Sequence, residues 1–116
     1  LLIDYGYIKS NNENTLQSVR KHKFNDLLKN LGDSDVTSLV NFKLIKEYIK
    51  KKKIKVGKII TQSQFLKKNG IMERAEIISK KMNFSEKSDL YYRIKRLTGQ
   101  QQMGELFKVI EAIKKV

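Results

Sequence analysis

Leu1-Leu2-Ile3-Asp4-Tyr5-Gly6 is the stretch on which the reading of this chain turns. A short apolar run ending in Asp-Tyr-Gly has the pattern of a buried strand that passes into a turn. The chain opens on leucine rather than methionine and has no polar lead-in, whereas chain ends are usually solvated. A core strand in that position implies an upstream segment, so the chain is expected to be the C-terminal part of a longer domain. In an open α/β sheet, ligands bind outside the carboxyl ends of the parallel strands. Asp4, followed by Tyr5 and Gly6, is therefore the first candidate for a site. The plainer alternative is that Asp4 bonds its own turn.

Beyond this stretch, Lys9 to Asn14 reads as a polar loop and Thr15 to Phe24 as extended chain, with another loop around Gly32. Phe42, Ile45 and Ile49, with Tyr48 beside them, recur at helical spacing, and Asn41 is placed to cap that helix through its amide oxygen. Ile54 to Ile60 alternates and is rich in β-branched residues, which predicts a strand. Three short helices follow: one capped by Ser63 and stopping at Gly70, one striped by Ile71, Ala75, Ile78 and Met82, and one capped by Ser85 with Leu90, Ile94 and Leu97 inward. The segment Leu106 to Lys115 is ambiguous. Leu106, Val109, Ile110 and Ile113 fit a helix by periodicity, while Phe107-Lys108-Val109-Ile110 also reads as a buried strand.

A chain of 116 residues holds one domain rather than two. Cysteine is absent, which excludes disulfides and thiolate metal sites. No apolar run approaches the roughly 18 residues of a membrane span, and no His or Cys cluster has metal-ligand spacing. The net charge of +13 raises a nucleic-acid partner. Against that, Arg20, Arg74, Arg93 and Arg96 are the only arginines, and lysine lacks the guanidinium fork that phosphate and base recognition favours. The densest cluster, Lys50 to Lys53 with Lys55 and Lys58, closes a helix, where lysine also complements the dipole. A solvated lysine face accounts for the charge as it stands. His22, flanked by Arg20, Lys21 and Lys23, reads either as a base or substrate hydrogen-bonder or as an ordinary surface histidine. Asp35-Val36-Thr37 reads as a binding element or as local bonding ahead of the helix.

Taken in order, several blocks resemble the MidA-like methyltransferases, the family of a mitochondrial complex I assembly factor and its bacterial relatives. They are Leu2-Ile3-Asp4-Tyr5-Gly6; Thr15-Leu16-Gln17 with Arg20 and His22; and Asp35-Val36-Thr37 with Val40 and Phe42. Gln62 with Phe65-Leu66, Gly70-Ile71 with Arg74, Arg96-Leu97, and Met103-Gly104-Glu105 with Phe107-Lys108-Val109 continue the match to the end of the chain. One departure is Asn41, where the family usually has aspartate.

The resemblance implies an α/β fold: the C-terminal part of a class I, Rossmann-like methyltransferase sheet, within a single domain. Leu1 to Asp4 would be the fifth strand, Asn41 to Lys53 the helix after it and Lys55 to Ile60 the sixth strand. A small helical insert over about residues 63–99 would precede an antiparallel seventh strand at Leu106 to Ile113. It also implies S-adenosylmethionine as cofactor, held mainly by motifs upstream of Leu1, so that no cofactor-binding residue falls in this chain and the chain alone is inactive. The implied activity is protein arginine N-methylation, with a respiratory complex I subunit as substrate and neither nucleic acid nor a membrane span involved. The location would be the mitochondrial matrix in a eukaryote or the cytoplasm in a bacterium. Candidate substrate-site residues are Asp4, Tyr5, Gly6, Arg20, His22, Asp35, Thr37 and Glu105. Of these, Asp4, His22 and Glu105 are the ones suited to position or neutralise a guanidinium. The competing class is a non-catalytic basic module that binds RNA or an acidic protein surface.

Overall fold

A computed structural model describes residues 1–9 and 14–114. Most of the loop expected at Lys9 to Asn14 lies outside the described residues. In chain order the elements are β1 (Leu2–Tyr7), β2 (Gln17–Arg20), β3 (Lys23–Asn25), β4 (Asp35–Thr37), β5 (Val40–Asn41) and α1 (Phe42–Lys51). They continue through β6 (Lys55–Val56), β7 (Ile60–Thr61), α2 (Gln62–Lys68), α3 (Ile71–Ser79) and α4 (Phe84–Thr98). The chain closes on α5 (Met103–Leu106), β8 (Phe107–Ile110) and β9 (Ala112–Ile113).

The main sheet has the order β5-β1-β8-β7. β8 runs antiparallel to both neighbours, with Asp4 opposite Lys108 and Tyr5 opposite Phe107 on one side and Ile60 opposite Val109 on the other. The segment expected as one antiparallel last strand, Leu106 to Ile113, is antiparallel and follows the helices but is divided. Leu106 ends α5, β8 joins the main sheet, and β9 pairs β6. The segment's helical periodicity is overruled because β8 is enclosed on both faces. Val109 and Ile110 are consecutive, so they point to opposite sides of the sheet, and both are buried.

Phe42 is the third fully buried apolar side chain among the described residues. It opens α1, where Asn41 caps as expected: its Oδ1 accepts from the Leu44 N–H at 3.1 Å. The ring lies against Gly6, where an added Cβ would sit 2.5 Å from two of its carbons. Tyr48 does not join that face. It is exposed and turns its ring toward Lys52, whose Nζ lies 5.5 Å from the centroid.

Several expectations are corrected. β1 does not turn at Asp4 but continues to Tyr7, because β5 pairs in parallel with Gly6 and Tyr7. Nor is it a buried strand: Leu1, Leu2 and Ile3 are exposed. β5 meets only the last two residues of β1, leaving the Leu2–Tyr5 edge without a strand partner among the described residues. The strand expected from Ile54 to Ile60 is two short ones separated at Gly57, with β6 pairing β9 instead of the main sheet.

The helix caps shift as well. Thr61 caps α2 and Asn83 caps α4, each in a reciprocal box with Gln64 and Glu86 respectively. Ser63 and Ser85 fall inside the first turns, where a side chain can no longer reach the N3 amide. The stripe of α3 ends at Ser79 rather than Met82. Leu90, Ile94 and Leu97 do share the half-buried face of α4.

β2, β3 and β4 form a separate three-stranded sheet in the order β3-β2-β4. The extended reading of Thr15 to Phe24 resolves into a hairpin whose two turn residues, Lys21 and His22, have φ of 48° and 63°. Positive φ at both positions matches the right-handed twist of the flanking strands. This arm exposes Phe24, Leu28, Leu31 and Val36. The radius of gyration is 18.0 Å, against about 13 Å for a compact domain of 100 residues.

Candidate functional site

The arm meets the main sheet beside β1. There Tyr5, Gln17, Thr37, Ser38 and Leu39 line a cavity of about 270 Å³. Each wall is held by bonds remote in sequence. Tyr5 stacks on Phe107 across the β1–β8 pair, with ring centroids 3.9 Å apart and planes tilted by 36°. The Gln17 Nε2 donates to Thr37 Oγ1 at 3.2 Å across the β2–β4 pair. The Leu39 N–H donates to Thr15 Oγ1 at 3.2 Å, tying the strand exit to the start of the arm.

The Asn25 side chain knots the far side of the arm. Its Nδ2 reaches the Lys29 carbonyl at 2.8 Å and Ser34 Oγ at 3.1 Å, while its Oδ1 accepts from Asn30 Nδ2 at 3.2 Å. A loop closed on one buried-side amide in this way holds β3 and β4 on either side of β2 without a hydrophobic core.

Of the residues singled out in the sequence, Tyr5 and Thr37 come together at the cavity. Asp4 does not join them. Successive strand residues point to opposite faces, so Asp4 lies on the face of Lys108 and Gly6, away from Tyr5 and Phe107. Its Oδ1 accepts from the Tyr5 N–H at 2.7 Å. Gly6 is taken up by the packing of Phe42 and by the Val40 backbone. Asp35 pairs with Val19 inside the arm sheet, where β4 hydrogen-bonds to β2.

Arg20 and His22 lie at the arm's outer end. Arg20 reaches Asp33 at 3.9 Å, an exposed pair of small energetic weight. His22 occupies the hairpin tip beyond Arg20, which itself lies roughly 10 Å along the strand from Gln17. Glu105 is exposed on α5, and its carbonyl accepts from Lys108 Nζ. Gln17, Ser38, Leu39 and Phe107 complete the cavity and its wall but were not singled out as site residues from sequence. No local spacing marks them, because β2–β4 and β1–β8 pairing alone brings them together.

Chemically the cavity is a neutral notch lined by one aromatic phenol, two aliphatic hydroxyls and one amide. It suits a flat cationic group laid on the Tyr5 ring, with hydrogen bonds at its edge. No carboxylate lines it, and its volume is below the roughly 300–1,000 Å³ of ordinary cofactor pockets. The residues present therefore do not fit a whole nucleoside cofactor, whose ribose hydroxyls and amino-acid end need charged partners. Among the described residues no group of three His, Cys, Asp or Glu side chains has metal-holding geometry, and no helix is long and apolar enough to cross a membrane.

Comparison with known proteins places the chain. The family model described as "Putative S-adenosyl-L-methionine-dependent methyltransferase" matches residues 1–60, more than half its length. The chain belongs to this methyltransferase family.

Over 114 residues it is 29% identical to "Protein arginine methyltransferase NDUFAF7, mitochondrial" of Xenopus tropicalis, and over 113 residues 27% identical to the protein of the same name in Danio rerio. Each alignment covers 97% of this chain and 26% of the relative. The methyltransferase-family chain thus spans about a quarter of the length of the curated relatives it matches. Two crystal structures of COG1565 superfamily proteins from Burkholderia thailandensis share its fold, each with a TM-score of 0.82 at 24% identity. They are covered to 32% and 30% of their lengths by 97% of this chain, and the second is bound to S-adenosyl-homocysteine.

Proposed function

We propose that this chain forms the acceptor side of an S-adenosylmethionine-dependent protein arginine methyltransferase. The observation that carries the reading is the uncharged, aromatic-walled notch at Tyr5 and Thr37, in a chain whose curated relatives bear that name along 97% of its residues. Methyl transfer to nitrogen asks mainly for alignment of the acceptor lone pair with the methyl–sulfur bond. The Tyr5 ring, backed by Phe107, orients a guanidinium plane, and Gln17 and Thr37 set its rotation. The methyl donor is held by residues outside this chain. A protein substrate follows from the relatives' name; a respiratory complex I subunit is the specific acceptor proposed. The location follows with it: the mitochondrial matrix in a eukaryote, the cytoplasm in a bacterium.

The test is transfer of labelled methyl from S-adenosylmethionine to an arginine-bearing acceptor by the whole protein that carries this chain. Tyr5→Ala should raise KM for the acceptor about tenfold, from loss of roughly 1–2 kcal/mol of stacking, while Tyr5→Phe keeps most of it. An unchanged KM in Tyr5→Ala would remove the notch from the reaction. RNA binding with a steep salt dependence and no methyl transfer would establish the basic-module reading instead.

A further inference from the structure

A second cavity lies at the opposite end of α1, where the helix turns into β6. It measures about 710 Å³ and is lined by Lys52, Lys53, Ile54, Lys55 and Lys114. Lys50, Lys51 and Lys58 stand on the same connection. The carboxylates on the surrounding elements are Glu47 on α1 and Glu111, whose carbonyl accepts from the Gly57 N–H at 2.9 Å. Neither makes an ion pair with a lysine among the described residues. Four ammonium groups thus line one concavity, with three more on the same connection and little local compensation.

Helix-dipole complementarity explains part of this. The C-terminal end of α1 carries about half a negative charge, and Lys50 and Lys51 sit in its last turn. Lys53, Lys55, Lys58 and Lys114 lie beyond that turn, and four further cations exceed what half a charge calls for.

Lys53 supplies a second, independent observation. It is the residue just past the helix cap, with φ of 57°. Its N–H donates to the Lys50 carbonyl at 2.9 Å, and the Ile54 N–H donates to the Ile49 carbonyl at 3.4 Å. That bond pair is the helix-terminating motif in which glycine is preferred, since a Cβ is disfavoured in the left-handed region. The chain carries a strained lysine where glycine would close the helix more easily, and this lysine lines the cavity. The rim also carries exposed Tyr48 and Ile113, an arrangement of basic and apolar groups suited to a headgroup at a lipid surface.

We propose that this concavity binds a phosphate group, either free in solution or carried as the headgroup of an anionic lipid. Lysine binds phosphate as a mobile point charge, and several ammonium groups around one cavity match a dianion better than a lone carboxylate.

The experiment measures binding of inorganic pyrophosphate by calorimetry. In parallel, it measures co-sedimentation with phosphatidylcholine vesicles with and without phosphatidylglycerol. At roughly fivefold per lysine near a charged surface, Lys52→Gln/Lys55→Gln/Lys114→Gln should lose about a hundredfold in affinity. Lys53→Gly should lose about fivefold while its unfolding midpoint holds or rises, which separates ligand binding from folding. Lys67→Gln/Lys68→Gln/Lys87→Gln, which removes as much charge elsewhere, should bind as the parent does. Pyrophosphate binding alone assigns the free ligand; vesicle binding alone assigns the lipid. The proposal is overturned if neither probe binds, if Lys53→Gly binds undiminished, if the remote variant loses as much, or if RNA alone is retained.

Discussion

Gly6→Ala tests the packing that joins the two halves of this molecule's core. A methyl at position 6 would lie 2.5 Å from the Phe42 Cδ2 and Cε2 atoms, and closer still to the Val40 carbonyl oxygen. Neither neighbour gives way easily. Phe42 is fully buried as the first residue of α1, and Val40 is the register partner of Gly6 in the parallel β1–β5 pair. Overpacking of this kind costs about 1–3 kcal/mol. Alanine restricts the unfolded chain and returns about 0.4–1 kcal/mol. The net expectation is a loss of about 1.3 kcal/mol.

Urea unfolding followed by circular dichroism reads the change, with trimethylamine N-oxide held constant so that both variants start folded. In a Phe42→Leu background the penalty should shrink, because the ring carbons are gone, yet persist through the Val40 carbonyl. A Gly6→Ala protein as stable as the parent would refute the close approach of α1 to β1. Equal penalties in the two backgrounds would show that the ring is not the obstacle.

Asn41→Ala should destabilise by about 1 kcal/mol, since the Leu44 N–H loses its acceptor, whereas Asn41→Asp should be near neutral; equilibrium unfolding of the two variants checks both. Lys21→Asn/His22→Gly places the residues preferred at positive φ in the hairpin turn. It should gain about 1 kcal/mol with methyl transfer unchanged, and a loss of activity with the fold intact would put His22 in the reaction. Residues 1–116 expressed alone should unfold with low cooperativity, because few apolar side chains are fully buried and Leu2 to Tyr5 keep an open edge. A sharp transition at high temperature would refute that.

The features that local chemistry controls were legible without coordinates. Asn41 as a cap, α1 after it, the lysine-rich exit from that helix and the inward face of α4 follow from side-chain hydrogen bonding and a period of 3.6. The capping boxes Thr61–Gln64 and Asn83–Glu86 are present as spacings too, but Ser63 and Ser85 close by offer the same capping chemistry, and spacing alone does not choose between them. For the last segment, periodicity pointed to a helix and family resemblance to a strand.

What the residues alone left undecided depends on partners far along the chain. β8 is a strand because β1 and β7 enclose it, an environment that residues 107–110 cannot announce. Asp4 was legible as an acidic residue in a strand, but which face it takes is set by register with Lys108, and a shift of one residue would reverse it. The notch exists only because β2–β4 pairing carries Gln17 and Thr37 up to Tyr5. Sequence by itself therefore determined the family and the local elements, since those rest on neighbouring residues. Tertiary structure decided which side chains share a face, because strand pairing joins residues that sequence keeps apart.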